Sequence, residues 1–306
     1  MIPGDQLVHT YSIVARDPET GQLGVAVQSH AFSSGSVVTW AEAGVGAVAT
    51  QAQADPSYGK LGLDLMRAGK SAIDALRGLV AADAMRQVRQ VAMVDAEGRV
   101  AAHTGKLTIA EAGHVVGEGF SVQANMMLRN TVWPAMAEAY RGAKGELVDR
   151  FLAALDAAEA EGGDIRGRQS AAILIVEAKS TGRPWHETIF DLRVDDAREP
   201  LAEILRLVTV RRANIHMRLG SEAAQRGDLD TTEREFADAE RLIGDNPEMR
   251  YWHGCALLGL KQIDKGLAIL REIGRRDRNW IELTLRLPDV LLAPDAFKDR
   301  VRKLLD

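Results

Sequence analysis

The sequence of 306 residues is short of cysteine, of basic charge and of long apolar runs. A single cysteine, Cys255, excludes an intramolecular disulfide and favours a reducing, cytoplasmic location. The net charge of -5 gives no basic surplus, so nucleic acid is not an expected partner. No apolar run reaches the ~18 residues of a membrane-spanning helix, so no membrane partner is expected either. The first residues lack the basic and apolar segments of a secretory signal.

Recognisable metal and nucleotide motifs are also missing. The seven histidines show no His-Glu-x-x-His spacing and no cysteine cluster accompanies them, although a metal site assembled from separate loops stays open. Gly44–Ala49 fits the Gly-x-Gly-x-x-Ala pattern but runs into a β-like stretch instead of a helix. Gly69–Ser71 resembles the end of a phosphate loop, yet Asp64 stands where that loop needs glycine. The sequence therefore predicts no metal and no cofactor.

Residues 10–200 alternate strand and helix signals. Hairpin turns and segregated helix pairs indicate stacked layers rather than βαβ units. We therefore predict an α+β fold, a four-layer αββα sandwich of two antiparallel sheets with helix pairs outside. Helical spacing predicts one helix on each side of Gly69. It predicts two further helices over Met126–Tyr140 and Leu147–Glu161. The predicted strands are Thr10–Arg16, Leu23–Ser29, Ser36–Trp40, Gly46–Gln51, Val88–Val94, Arg99–His103, Phe120–Ala124, Gln169–Val176 and Glu187–Val194.

Residues 201–306 lose the strand signals and are helical throughout. Leu229-Asp230 recurs as Ile263-Asp264, an offset of 34 residues that is typical of tetratricopeptide-like helical hairpins. Cys255 lies on one of these helices and is expected to be a small buried hydrophobe. Amphipathic hairpins need cover, so we expect a homo-oligomer, or a protein partner bound through this domain.

Thr10 opens the first predicted hairpin. Strand, turn, strand, glycine-rich strands and then paired helices is the order in which an N-terminal-nucleophile hydrolase begins. A threonine hydroxyl is a weak nucleophile that needs a base, and its own α-amine supplies one once it is free. Thr10 thus becomes a catalytic candidate if residues 1–9 are removed as an N-terminal extension. An ordinary strand threonine is the alternative, because threonine favours strands.

Several segments together resemble one family, called domain of unknown function 1028. They cover residues 9–200 in order and are Thr10–Asp17, Gly24–Ser29, Gly35–Val38, Ala43–Gln51, Arg89–Val91, Gly119–Asn125, Gly163-Asp164, Gly167–Ala172 and Asp191–Asp196. The family is classed by fold with the N-terminal-nucleophile hydrolases, which implies the αββα sandwich and Thr10 as nucleophile. The helical remainder is similar to an appendage, labelled peptidoglycan-binding, that some members carry.

The resemblance also implies a set of site residues. His30 is nearest to the basic residue that assists the nucleophile in related folds. Asn125, which follows a strand, is expected either to donate to an oxyanion or to cap the helix that begins at Met126. The residues expected to line a substrate pocket are Ser29, Ser33, Ser34, Gln51, Tyr58 and Asp195.

Three functions remain open on the sequence. The first is a hydrolase of small amides or short peptides that uses Thr10. The second is a binding or assembly protein whose pocket is a relic and whose helical repeats recruit a partner. In the third, Thr10 is inert, and His30 with Asp195 or a bound metal activates water.

Overall fold

The computed structural model describes residues 6–287, 300, 301 and 303. Residues 1–5 of the expected N-terminal extension lie outside the described residues. The chain divides into two compact units between Leu207 and Val208, inside a long helix. Sequence composition placed the division at residues 200 and 201.

Strands dominate the first unit and helices the second. The strands are β1 Gln6–Val8, β2 Thr10–Arg16, β3 Leu23–Ser29, β4 Thr39–Glu42, β5 Gly46–Ala54, β6 Arg89–Asp95, β7 Val100–Thr104, β8 Gly113–Gly117, β9 Phe120–Ala124, β10 Ser170–Val176 and β11 Thr188–Val194. The helices are α1 Gly35–Val38, α2 Ser57–Arg67, α3 Ala72–Ala82, α4 Val132–Gly142, α5 Leu147–Ala160, α6 Pro200–Gln225, α7 Leu229–Ile243, α8 Pro247–Gly259, α9 Ile263–Arg276 and α10 Asn279–Arg286.

The strands of the first unit form two antiparallel sheets. One sheet has the order β1-β5-β6-β7, and β4 pairs with β5 beside β1. The other has the order β11-β10-β3-β2-β9-β8, which places β2 and β3 at its centre. In the hairpin between these two strands Thr10 lies opposite Ser29, and Arg16 lies opposite Leu23. The predicted mixture of antiparallel sheets, helices and a helical C-terminal region is confirmed.

The two sheets face each other, and helices cover their outer faces. α2 and α3 pack on β5 and β6, whereas α4 and α5 pack on β2, β3, β8 and β9. Alternation along each strand sends small apolar side chains inward, so Val25 and Val27 meet Ala49 and Ala92 in one buried cluster. The neighbouring positions Val48 and Met93 point outward, to the cluster beneath α2 and α3.

Two local predictions were wrong. Ser36–Trp40 was expected to be a strand, but α1 occupies its first half and β4 begins only at Thr39. Val37 and Val38 favour strands, yet here their burial between the sheets decides the conformation. The helix expected from Met126 begins at Val132, with Thr131 as its N-cap. Met126 has a φ of 60°, a left-handed conformation that no helix continues through.

The second unit consists of helical hairpins, as the repeat predicted. Leu229 begins α7 and Ile263 begins α9, so the repeated pair opens the second helix of each hairpin. The equivalent positions Phe236 and Leu270 are both fully buried. Cys255 is buried, as expected, and burial raises the pKa of its thiol to about 12.

Two helical glycines give a matched test of the packing between α2 and β4. A Cβ on Gly59 would lie 2.3 Å from the Trp40 ring, and that ring is fixed by its Nε1 donating to the Val37 carbonyl oxygen at 2.8 Å. Gly59→Ala is therefore expected to destabilise the first unit by about 1–3 kcal/mol. Gly78→Ala in α3 meets nothing within 4 Å and should stabilise it by about 1 kcal/mol. Urea unfolding checks both changes, and equal effects would contradict the packing.

Candidate functional site

Thr10 lies at the first position of a central strand, fully buried between the two sheets. Its hydroxyl donates to the carbonyl oxygen of Gln28. Its own carbonyl oxygen accepts from the backbone N–H of Asn125 at 3.1 Å and from Gln51 Nε2 at 3.2 Å. Thr10 is therefore held from both sheets, because Gln51 belongs to β5.

Amide and hydroxyl side chains surround Thr10 in the otherwise apolar space between the sheets. We call Ser12, Gln51, Gln90, Gln123 and Asn125 the inter-sheet polar cluster; all five are fully buried. Ser12 Oγ donates to Gln51 Oε1 at 2.6 Å, and Gln51 Nε2 donates to Gln90 Oε1 at 2.7 Å. Gln123 Nε2 donates to Ser12 Oγ at 2.6 Å, and Asn125 Nδ2 donates to Gln90 Oε1 at 2.9 Å. These bonds link β2 and β9 of one sheet to β5 and β6 of the other.

The peptide carbonyl that precedes Thr10 is bound by two side-chain donors. The carbonyl oxygen of His9 accepts from Ser29 Oγ at 2.6 Å and from Arg166 Nη2 at 2.9 Å. Two donors on one carbonyl polarise it and stabilise negative charge that develops on its oxygen. The carbonyl of the amide bond between His9 and Thr10 is therefore polarised by two side chains, one of which carries a positive charge.

The His9 ring is also enclosed. Its Nδ1 lies 2.7 Å from Asn125 Oδ1, and because Asn125 Nδ2 donates to Gln90, the ring nitrogen is the donor of this pair. Burial lowers the pKa of His9, and the nearby Arg166 guanidinium lowers it further, against the opposing effects of the Asn125 bond and the Asp164 carboxylate. The ring is consequently neutral at pH 7.

Arg166 is positioned by a buried carboxylate. Its Nε and Nη2 donate to Asp164 at 3.0 and 2.7 Å, a bidentate pair that fixes the guanidinium plane. Asp164 also accepts from the backbone N–H of His30 at 3.2 Å. The His30 ring itself lies 3.3 Å from the carbonyl oxygen of Arg168. Among the described residues, the His30 ring makes its hydrogen bond there and not to Thr10.

Left-handed backbone occurs next to this site. Ala52, with a φ of 69°, follows Gln51, and Met126, with a φ of 60°, follows Asn125. Such conformations cost about 1–3 kcal/mol in residues that carry a Cβ, and they cluster at functional sites. Both residues that contact the Thr10 carbonyl are therefore followed by strained backbone.

Four of the nine site residues predicted from the sequence lie together around Thr10, and the other five lie elsewhere. Thr10, Ser29, Gln51 and Asn125 come together, and the helix-capping alternative for Asn125 is wrong because Thr131 occupies the N-cap position of that helix. The remaining nominees are Ser33, Ser34, Tyr58, Asp195 and His30. Ser33 Oγ donates to Asp195 at 2.7 Å, Ser34 Oγ lies 2.6 Å from Ser170 Oγ, and Tyr58 donates to Asp83 at 3.0 Å beneath α2.

Potential metal ligands lie together in the second unit. Ligand atoms of His216, Glu235 and Asp238 lie within 4.8 Å of one another. His216 Nδ1 is 2.8 Å from Glu235 Oε2, and Asp238 pairs with Arg241 at 2.6 Å, so both carboxylates already have a partner. No helix within the described part of the chain is long and apolar enough to cross a membrane.

Comparison with known proteins agrees with this architecture. A family described as "Family of unknown function (DUF1028)" matches residues 10–204. The chain belongs to the DUF1028 family. The crystal structure of protein SPO2555 from Silicibacter pomeroyi, also assigned to DUF1028, is similar with 31% identity and a TM-score of 0.59, over 65% of this chain and 88% of that one. Among curated proteins, none matches.

Sequence reasoning missed several residues of this DUF1028 site, namely His9, Ser12, Gln90, Gln123, Asp164 and Arg166. Gln90 and Gln123 are polar residues among apolar neighbours in predicted strands. A polar residue at such a position indicates a buried hydrogen bond, so these two could have been found from the sequence. Asp164 and Arg166 lie in a loop beyond α5 and approach His9 only in the folded chain. No local pattern connects residues so far apart.

The buried His9 predicts pH-dependent release of the N-terminal segment in this DUF1028 protein. Its pKa is lowered in the folded chain, so the released segment binds more protons below pH ~6.5. Attachment of residues 6–9 should therefore be complete above pH ~6.5 and weaken as the pH falls. Hydrogen exchange of this segment, normalised to intrinsic rates at each pH, measures it. His9→Asn keeps a side-chain donor that does not titrate and should remove the dependence; an equal dependence in both proteins would contradict the assignment.

Proposed function

We propose that this protein is an amide-bond hydrolase whose nucleophile is Thr10 after residues 1–9 are removed. The observation that carries the proposal is the His9 carbonyl, bound by Ser29 Oγ at 2.6 Å and Arg166 Nη2 at 2.9 Å immediately before Thr10. A structural threonine requires no donors on the preceding carbonyl beyond a strand partner. Two converging side-chain donors are what attack on that carbonyl requires.

The fold supports the same proposal. The order of helices, sheet, sheet and helices is that of the N-terminal-nucleophile hydrolases, in which a nucleophile starts a central strand. Thr10 starts β2, which lies at the centre of its sheet. We accordingly propose the αββα sandwich of that class for residues 10–200.

The first step in the proposed sequence is self-cleavage. Thr10 Oγ attacks the carbonyl carbon of His9, and the new C–O bond replaces the C–N bond to Thr10. The hydroxyl proton passes to the departing nitrogen, which becomes the α-amine of Thr10. Water then hydrolyses the ester, which releases the His9 carboxylate and restores the hydroxyl. Ser29 and Arg166 stabilise the oxyanion in this step.

Turnover repeats this chemistry on an external amide. Thr10 Oγ attacks the substrate carbonyl, the α-amine takes the hydroxyl proton and passes it to the leaving amine, and water hydrolyses the acyl-enzyme. The Arg166 guanidinium lies next to the position of that amine, and its positive charge favours the neutral, proton-accepting form. Arg166 thus has the role that the sequence suggested for His30. Asn125 positions Thr10 by donating to its carbonyl oxygen.

Full burial of Thr10 in the intact chain favours one competing function. A chain that keeps residues 1–9 has a buried Thr10 and no free amine on that residue, and it would act as a binding or assembly protein. In that case the helical hairpins of the second unit are the candidate surface for a protein partner or a second copy. We also propose a cytoplasmic location. We do not propose peptidoglycan binding, because the helical hairpins are a repeat scaffold with no evident glycan site among their described residues.

Intact-mass measurement on the protein from its native host tests the proposal. The wild-type chain should begin at Thr10, Thr10→Ser should still cleave, and Thr10→Ala should keep residues 1–9. Ser29→Ala should slow cleavage by about 10²-fold, because one oxyanion donor is lost.

Ser36→Ala is the matched control for Ser29→Ala. Ser36 is exposed and its hydroxyl bonds only locally, to the Ser33 carbonyl oxygen at 2.7 Å, so its replacement should leave cleavage unchanged. A wild-type chain that retains residues 1–9 would remove the base from the mechanism and leave the binding protein as the better description.

A further inference from the structure

Residues 6–9 occupy the sheet in the manner of a bound peptide. β1 is extended and antiparallel to β5, with Gln6 opposite Ala54, Leu7 opposite Gln53 and Val8 opposite Ala52. It lies on the same edge of β5 that β4 covers further along. Residues 6–9 end at the His9 carbonyl, whose oxygen accepts hydrogen bonds from Ser29 and Arg166.

The side chains of Leu7, Val8 and His9 differ in exposure. Leu7 is 52% exposed, whereas Val8 and His9 are 4% and 5% exposed. Val8 packs into the apolar cluster between the sheets. His9 donates from its ring to Asn125 Oδ1 at 2.7 Å. The site therefore contains one apolar subsite and one subsite with a buried hydrogen-bond acceptor.

Removal of residues 1–9 would empty both subsites and take away the strand that pairs with residues 52–54 on this edge of β5. An exposed strand edge recruits extended peptides, because backbone hydrogen bonds give affinity and the alternate side-chain pockets give selectivity. The left-handed Ala52, opposite Val8, fixes where this edge begins.

We infer that the substrate is an extended peptide whose acyl part follows the path of residues 6–9 along β5, with its scissile carbonyl at the position of the His9 carbonyl. The inference rests on the proposed function and adds the substrate class to it. A small apolar residue is required second from the scissile bond, where Val8 lies. A side chain with a hydrogen-bond donor is preferred at the scissile position, and the third position is tolerant.

A binding measurement tests this without cleavage. The probes are fluorescein-labelled Gln-Leu-Val-His, the same peptide with Asp for Val, and the same peptide with Ala for Leu. The proteins are the full-length Thr10→Ala chain and the full-length double variant Val8→Asp, Thr10→Ala. The charge at position 8 dislodges the chain's own segment from its apolar subsite, whereas the single variant keeps it in place.

Fluorescence anisotropy should show saturable binding of the first peptide to the double variant and at least about tenfold weaker binding to the single variant. The attached segment competes there at high effective concentration. The Asp peptide should bind the double variant about tenfold less tightly or worse, and the Ala peptide within about twofold of the first. Equal binding of the Val and Asp peptides, or equal binding to both proteins, would overturn the inference.

Circular dichroism melting shows whether the double variant is folded. If it is not, Leu7→Pro replaces Val8→Asp, since proline at this exposed position disrupts strand pairing without placing charge in the core. The two proposals fail separately. If the wild-type chain cleaves itself but the double variant does not bind the peptide, the proposed chemistry stands and this substrate class is wrong. If the peptide binds but the wild-type chain never cleaves itself, the two subsites stand and the proposed hydrolase is wrong.

Discussion

Buried amide groups between two sheets must find partners there, and this constraint governs the first unit. Each member of the inter-sheet polar cluster that lost its partner would cost about 1–3 kcal/mol. The bonds from Ser12 to Gln51 and from Asn125 to Gln90 cross from one sheet to the other. Apolar contacts alone would tolerate a small slide of the sheets, whereas these directional bonds do not. The cluster therefore fixes the register of one sheet against the other.

Thr10 takes its position from that register. Gln51 on one sheet and Asn125 on the other both donate to its carbonyl oxygen, so its main chain is held at the point where the sheets are locked together. Attack on a carbonyl tolerates misplacement of less than about 1 Å. Strand alternation points Gln51 inward with Ala47 and Ala49, and left-handed residues, Ala52 and Met126, directly follow Gln51 and Asn125.

Local pattern predicted the elements, and tertiary contacts decided the site. β2 and β3 have the expected bounds because their alternation and turn chemistry are local. Thr10 was found because it opens the first predicted strand, whereas Ser29, Gln51 and Asn125 came from the family resemblance. Arg166 approaches His9 from 157 positions away, and only the folded loop after α5 brings it there. Tyr58 is not part of the site around Thr10. It lies in α2 and packs in the cluster beneath α2 and α3, outside the space between the sheets.

Residues 6–9 cover Thr10 and are part of the same chain, and this covalent attachment affects how strongly they are held. While residues 6–9 are covalently attached, their binding costs no translational entropy, so three strand pairs and one buried valine suffice to hold them. Val8 contributes about 1.5–3 kcal/mol and each hydrogen bond about 0.5–1.5 kcal/mol. If the proposed cleavage breaks the bond to Thr10, association of the cut segment must also offset about 4–15 kcal/mol of lost translational and rotational freedom. Under the proposed function the cut segment would therefore dissociate, and the contacts that cover Thr10 in the intact chain would hold an exchangeable peptide only weakly.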